Sequence, residues 1–169
     1  TRPALQACSC LLQPFQQCHG GQPLGLALAA AAALSGIVSP EPHVDDDYGP
    51  LTPKLEAEVA KLTSKPVRFV VNTHWHGDHA GGNEVFAKAG ATVFASDNAR
   101  KRLTGEVKSV NRQGQATPAS PKDAWPVVTF ASGIDFHLNG QTIRAIRAPM
   151  PAHTDGDVFV YFVEADVLH

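Results

Sequence analysis

A marked excess of charge of either sign is missing from this chain: 14 Lys and Arg stand against 16 Asp and Glu, a formal net charge of −2 over 169 residues. That balance makes no electrostatic case for a nucleic-acid partner. Cysteine is scarce as well. Cys8, Cys10 and Cys18 are its three copies, and all lie at the start, so no disulfide framework can run through the rest. With His19 they form a small group of thiols and imidazole whose spacings fit no usual zinc module. Long hydrophobic runs are also absent apart from Leu24–Leu34, a stretch dominated by Ala and too short to span a bilayer comfortably, so no transmembrane segment is expected. The stretch resembles the hydrophobic region of a secretory signal, although Arg2 is the only basic residue before it and the chain starts at Thr1. Residues 1–43 therefore read as a leader-like, weakly ordered segment and 44–169 as the folded part. A cytoplasmic and a secreted or periplasmic location both stay open.

What is present is an ordinary globular composition, 43% hydrophobic and 18% charged, with length for one domain around its own core. Fourteen Gly and 13 Pro predict many loops. Thr52 followed by Pro53 reads as a helix cap. Leu51, Leu55, Val59 and Leu62 then recur at the spacing of one buried stripe, as far as Ser64. Val67–Val71 is a short β-rich run, Asn83–Ala89 suits a helix, and Ala91–Ala95 suits a strand. Ser96 or Asp97 can cap a further helix through Leu103. Residues 105–124 keep no period and read as a long loop, of the kind that often covers a site. From Val127 the period becomes that of strands: Val127–Phe130, Ile134–Leu138 and Thr142–Ile146, the last two joined by the hairpin pair Asn139–Gly140. A final strand is expected at Val158–Val163. Helices and strands first, then a β-meander, predict a layered α/β domain.

The sharpest feature is Thr73-His74-Trp75-His76-Gly77-Asp78-His79-Ala80-Gly81-Gly82-Asn83. A strand delivers its chain into this stretch, so His74 and His76, two apart, point the same way if extended geometry persists. Asp78 and His79 can then face a neighbouring point. Gly77, Gly81 and Gly82 allow tight turning and close backbone approach. Imidazole suits zinc, iron or nickel, and a carboxylate adds a harder oxygen donor. Catalytic zinc keeps three protein ligands and an open position. His153 is the best third partner, because it lies in a loop between strands, after Pro149 and Pro151 and before Thr154-Asp155-Gly156-Asp157. His137 sits inside an alternating strand, and His43 and His19 lie in the leader or at its edge. Asp155 and Asp157 read as turn-forming carboxylates. Trp75 reads as packing beneath the loop, and Asn72, Thr73 and Asp45 as candidate supports of the ligands.

Residues 44–169 resemble the metallo-β-lactamase superfamily. Thr73–Asn83 is similar to its metal-binding signature and His153–Asp157 to its downstream ligand motif. The resemblance implies an αβ/βα sandwich whose N-terminal half is present and whose C-terminal half is missing. It implies that His74, His76 and His153 bind a first metal, and that Asp78 and His79 help bind a second. Asp78 would also orient the nucleophile as the catalytic carboxylate, and Asp45–Asp46 would support the signature loop. A bridging Asp and a last His ligand are expected beyond His169. The implied cofactor is Zn2+, as one or two ions, with iron or manganese as alternatives. The implied activity is hydrolysis of an ester, thioester, lactam or phosphodiester in a small-molecule substrate by metal-activated water. A non-catalytic metal-binding fragment, a β-lactamase and an iron-dependent persulfide dioxygenase are the other readings.

Overall fold

The computed structural model describes residues 42–110 and 114–169. The apolar run Leu24–Leu34 and the group Cys8, Cys10, Cys18 and His19 lie outside them. The first part alternates strand and helix: β1 (Pro42–Val44), α1 (Thr52–Leu62), β2 (Phe69–Val71), α2 (Gly77–Ala80), α3 (Asn83–Lys88), β3 (Thr92–Ser96) and α4 (Asp97–Leu103). A small ribbon follows, β4 (Ser109–Val110) paired with β5 (Ala116–Thr117), and then β6 (Val128–Phe130). The last strands are β7 (Gly133–Leu138), β8 (Gln141–Arg147), β9 (Val158–Phe162) and β10 (Val167–Leu168).

Two sheets result. The first has the order β1-β2-β3-β6 and is parallel throughout; the second has the order β10-β9-β8-β7 and is antiparallel throughout. Period-two alternation decides what lies between them. In the register Val70↔Val93 and Val71↔Phe94, Val70 and Val93 turn to one face and pack with Phe86 of α3. Val71 and Phe94 turn to the other and meet Phe136, Ile143, Val160 and Phe162 of the second sheet. Phe94 and Phe136 touch edge to face, 4.9 Å between ring centres. Burial on both faces accounts for the unbroken apolar run Phe69–Val71, as expected of a central parallel strand. The layers are helices, parallel sheet and antiparallel sheet. On the outer face of the antiparallel sheet Ile146 and Phe159 stand opposite each other, 46% and 48% exposed.

Several expectations are corrected. The strand at 128–130 does not join a meander: it pairs in parallel with β3, in the register Phe94↔Val128, which sends Phe130 into the core between the sheets. The expected long loop at 105–124 carries the β4–β5 ribbon and a 3-10 turn at Lys122–Ala124. Thr52 does not cap α1. Leu51 holds the cap position without a side-chain bond, and Thr52 lies inside the helix, wholly buried. Leu51 and Leu62 are exposed, so the stripe touches the core mainly through Leu55. His43, expected in the leader or at its edge, is part of β1 and packs against Phe86. The α4 cap is Ser96, whose Oγ accepts the Ala99 N–H at 3.2 Å. Among the described residues, no helix is long and apolar enough to cross a membrane.

Candidate metal centre

The signature residues leave β2 at the C-terminal edge of the parallel sheet, the edge at which open α/β sheets gather their ligands. Asp45, directly after β1, holds this stretch from below. Its carboxylate accepts from Thr73 N and Thr73 Oγ1, both at 2.7 Å, and contacts His79 Nδ1 at 2.8 Å. Asn72 and Asn83 stand at either end of the loop and exchange amide bonds at 3.0 and 2.9 Å, both wholly buried. Asn83 also donates to the Ala124 carbonyl at 3.1 Å. The loop between them turns through the short helix α2. Gly82 is required there, because a Cβ would lie 2.5 Å from the Asp46 carbonyl oxygen and 2.7 Å from Thr52 Oγ1.

His74, His76 and His153 converge above this base. Their ring centres are 4.8–4.9 Å apart in every pairing, and one ligand nitrogen from each lies within 4.8 Å of the others. His76 Nδ1 and His153 Nε2 approach to 3.0 Å. Nitrogens sharing a tetrahedral zinc at about 2.0–2.1 Å sit roughly 3.3 Å apart, so the spacing is of the right order. His74 supplies the decisive detail. Its Nδ1 contacts Thr73 Oγ1 at 3.0 Å, while its Nε2 is buried with no hydrogen-bond partner. An orphaned buried imidazole nitrogen is costly, and a cation shared with His76 and His153 would satisfy it. The donor set fits a zinc ion.

His153 is placed by its own turn. Asp157 accepts from Thr154 N at 3.0 and 2.8 Å and from Thr154 Oγ1, and Gly156 N donates back to Thr154 Oγ1. Asp157 is thus the turn-forming carboxylate that its spacing suggests. At the base of the turn, Val158 N donates to the Thr73 carbonyl at 2.8 Å, joining the two ligand-bearing stretches.

The electrostatics suit ligation. Burial, with the neighbouring charge of His79, lowers the His74 pKa to about 4 against the pull of Asp45. Burial and His153 lower that of His76. Both rings are therefore neutral at pH 7, the form that binds metal. Burial alone would lower His79 too, but its bond to Asp45 outweighs that and raises it. Burial alone would raise Asp45, yet contacts with His169 and His79 and the Thr73 amide hold it at about 2. The Asp45 carboxylate thus favours the protonated form of His79, with which it would pair as an ion.

Not every candidate joins the compact set. His79 spends Nδ1 on Asp45; its ring lies 4.0 Å from that of His74, and its Nε2 is 3.7 Å from Asp78 Oδ2. Asp78 is about half exposed. The pair flanks the three imidazoles rather than completing their cluster. His137 is exposed on β7, away from this edge. Sequence reasoning missed the reciprocal Asn72–Asn83 pair; the two amides bracketing the motif were its visible signal.

A parallel sheet packed on an antiparallel one, with three imidazoles gathered at the parallel edge, defines a metallo-β-lactamase fold. The model of the metallo-beta-lactamase superfamily matches residues 44–169, and the chain belongs to that superfamily. Among curated proteins it is similar to a hydroxyacylglutathione hydrolase of Methylococcus capsulatus, 30% identical over 115 residues, which cover 68% of this chain and 34% of the relative. A hydroxyacylglutathione hydrolase of Synechococcus is 30% identical over 117 residues, 68% of this chain and 35% of that one. The chain thus spans about a third of the length of the curated relatives it matches. Among solved structures it is similar to a metallo-beta-lactamase from Cronobacter sakazakii with an HARLDQ motif: TM-score 0.62, 26% identity, 74% of this chain and 48% of the other. The subclass B3 metallo-beta-lactamase MEM-A1 from a soil metagenome library aligns with TM-score 0.56 and 25% identity, over 72% and 46%.

Proposed function

We propose that this chain carries the metal-binding half of a hydrolase site, in which His74, His76 and His153 hold a zinc ion and Asp78 serves the attacking water. The observation that carries the reading is the buried, partnerless Nε2 of His74 beside two further imidazoles at ligating distance. Zinc bound to three imidazoles supplies Lewis acidity and lowers the pKa of a coordinated water toward neutrality. The chain's own part is orientation and proton handling. Asp45 fixes the Thr73 backbone, and through Thr73 Oγ1 the His74 ring. Asp78, half exposed at the rim, presents a carboxylate oxygen that can align the nucleophile and take its proton. His79, whose pKa its bond to Asp45 raises, favours negative charge developing at its Nε2 side whenever the ring is protonated. Such an arrangement suits attack on an acyl carbonyl, with a carbonyl oxygen turning anionic as the bond to water forms.

The substrate is a small molecule with an activated acyl bond. Similarity to hydroxyacylglutathione hydrolases favours a thioester, and the fold likeness to metallo-beta-lactamases supports a lactam as the second substrate to assay. Elemental analysis of the full chain should give near-stoichiometric zinc, and a panel of thioesters and a chromogenic β-lactam should separate the two acyl classes. His76→Ala should abolish turnover and zinc retention while leaving the far-UV spectrum unchanged. Absence of bound transition metal, or retained turnover in that variant, overturns the reading.

A further inference from the structure

The His153 turn is gripped from outside by one face of α4. Asn98 and Arg102 are four residues apart and so lie on the same side of the helix. Asn98 Nδ2 donates to the Asp155 carbonyl at 2.7 Å, and Arg102 Nε and Nη2 both donate to Asp155 Oδ2, at 3.2 and 2.9 Å. At the start of α4, Ser96 Oγ donates to the Gly156 carbonyl at 2.7 Å. The seat is tight: a Cβ on Gly156 would lie 2.7 Å from Ser96 Oγ and 2.8 Å from Ala99 N. The Arg102 guanidinium also donates from Nη1 to the Lys108 carbonyl and stands over the Trp75 ring, 6.0 Å from its centre. Trp75 separates His74 from His76, and its ring is 4.3 Å from that of His76. A single cation therefore touches both stretches that carry the imidazoles.

We propose that Arg102 is a positioning residue for the metal centre: held between Asp155 and Trp75, it sets the distance of His153 from His74 and His76. The proposal rests on the reading that these three imidazoles bind a metal. Three observations make Arg102 more than a surface charge. Its side chain and that of Asp155 are only 24% and 30% exposed, unlike the open pairs whose worth is near zero. Asp155 Oδ1 is buried with no hydrogen-bond partner, so among the described residues the hydrogen bonds that orient this carboxylate come from Arg102. Finally, a planar guanidinium binds a carboxylate by its edge while its face meets an aromatic ring, which an ammonium cannot do. Remote partners of this kind typically change metal affinity about 10–100-fold.

The test uses the full chain as wild type, Arg102→Met, Arg102→Lys, Asp155→Asn and the double variant Arg102→Met/Asp155→Asn. Zinc affinity is read by competition with a chromophoric chelator, geometry by the visible absorption of the Co(II)-loaded protein, and fold stability by melting of the metal-free protein. Arg102→Met should weaken zinc binding about 10–100-fold and alter the Co(II) spectrum, and Arg102→Lys should recover only part of both. The double variant should bind no more weakly than the weaker single variant, because the two residues act as one unit. Wild-type affinity and an unchanged Co(II) spectrum in Arg102→Met would overturn the proposal and leave the metal reading standing. So would an affinity loss that full rescue by Lys reduces to charge alone. A wild type that binds neither zinc nor cobalt overturns the metal reading and the proposal together.

Discussion

Asp46 lies fully buried beneath the signature loop. Its Oδ1 accepts the Gly82 N–H at 2.8 Å, and its Oδ2 has no partner. Burial pushes the carboxyl up from 3.8 to about 8, the Gly82 bond opposing and the charges of Asp45 and Asp47 adding to the rise. At neutral pH the folded chain therefore holds a proton that the unfolded chain has released. Between about pH 4 and 8 the folded state binds more protons from this group, so its contribution makes stability fall as pH rises. Each unit is worth about 1.4 kcal/mol. At pH 7, about three units above the unfolded value, the penalty reaches at most about 4 kcal/mol.

Asp46→Asn removes that penalty without changing shape, since the amide oxygen can keep the Gly82 bond. Urea unfolding of both chains in the presence of a chelator should show the variant gaining on the wild type as pH rises. The difference should be small near pH 4 and should grow by about 1.4 kcal/mol per unit toward pH 8. Any cost of burying the amide nitrogen shifts the whole curve by a constant. Titrations of His43, His74 and Asp45 occur in both chains and cancel in the difference. A stability difference that stays flat from pH 5 to pH 8 would refute the reasoning, because it would mean that Asp46 is ionised in the folded protein.

Other substitutions probe the same scaffold. Gly82→Ala forces a Cβ to 2.5 Å from the Asp46 carbonyl oxygen and should cost about 1–3 kcal/mol in denaturant unfolding, as overpacking does. Asn83→Ala removes both halves of the exchange with Asn72 and the bond to Ala124, leaving the buried Asn72 amide with its long donation to the His79 carbonyl at 3.5 Å. A loss of about 2–4 kcal/mol is expected on calorimetry. Phe94→Ala empties the contact between the sheets, where Phe94 meets Phe69 and Phe136, and should destabilise by about 3–5 kcal/mol without altering zinc affinity per folded molecule.

Much of this was legible in the residues. Valine and phenylalanine runs marked β2, β3 and β9, Asn139–Gly140 marked the β7–β8 hairpin, and Ser96–Asp97 marked the start of α4. These signals are local, and most local signals survive folding, the cap expected at Thr52 excepted. Strand partnership is not local. The run at 128–130 looks the same whether it pairs with the next strand or with β3, and the choice is made by the pocket that Phe130 fills between the sheets. Two-residue strands such as β4 and β5 carry no period at all. For α1, helical spacing of Leu51, Leu55, Val59 and Leu62 was real, but spacing cannot say how much of a face its neighbours cover.

The site divides along the same line. His74 and His76 are tied by covalent proximity, and only His153 had to be brought in from a distance. Its loop chemistry marked it, and the structure sets it beside them. The acids show where such reading stops. Asp45, Asp46 and Asp47 are three identical letters with three fates: a hydrogen-bonded partner of His79, a buried neutral acid, and a cap on the Tyr48 N–H at 2.7 Å. Backbone geometry separates them. Asp45 and Asp47 both take left-handed conformations, φ 57° and 64°, which Asp tolerates better than most residues. Those two turns point Asp45 up at Thr73 and His79 and drive Asp46 down beneath Gly82. Composition counts three charges there; the fold leaves the middle one without its charge.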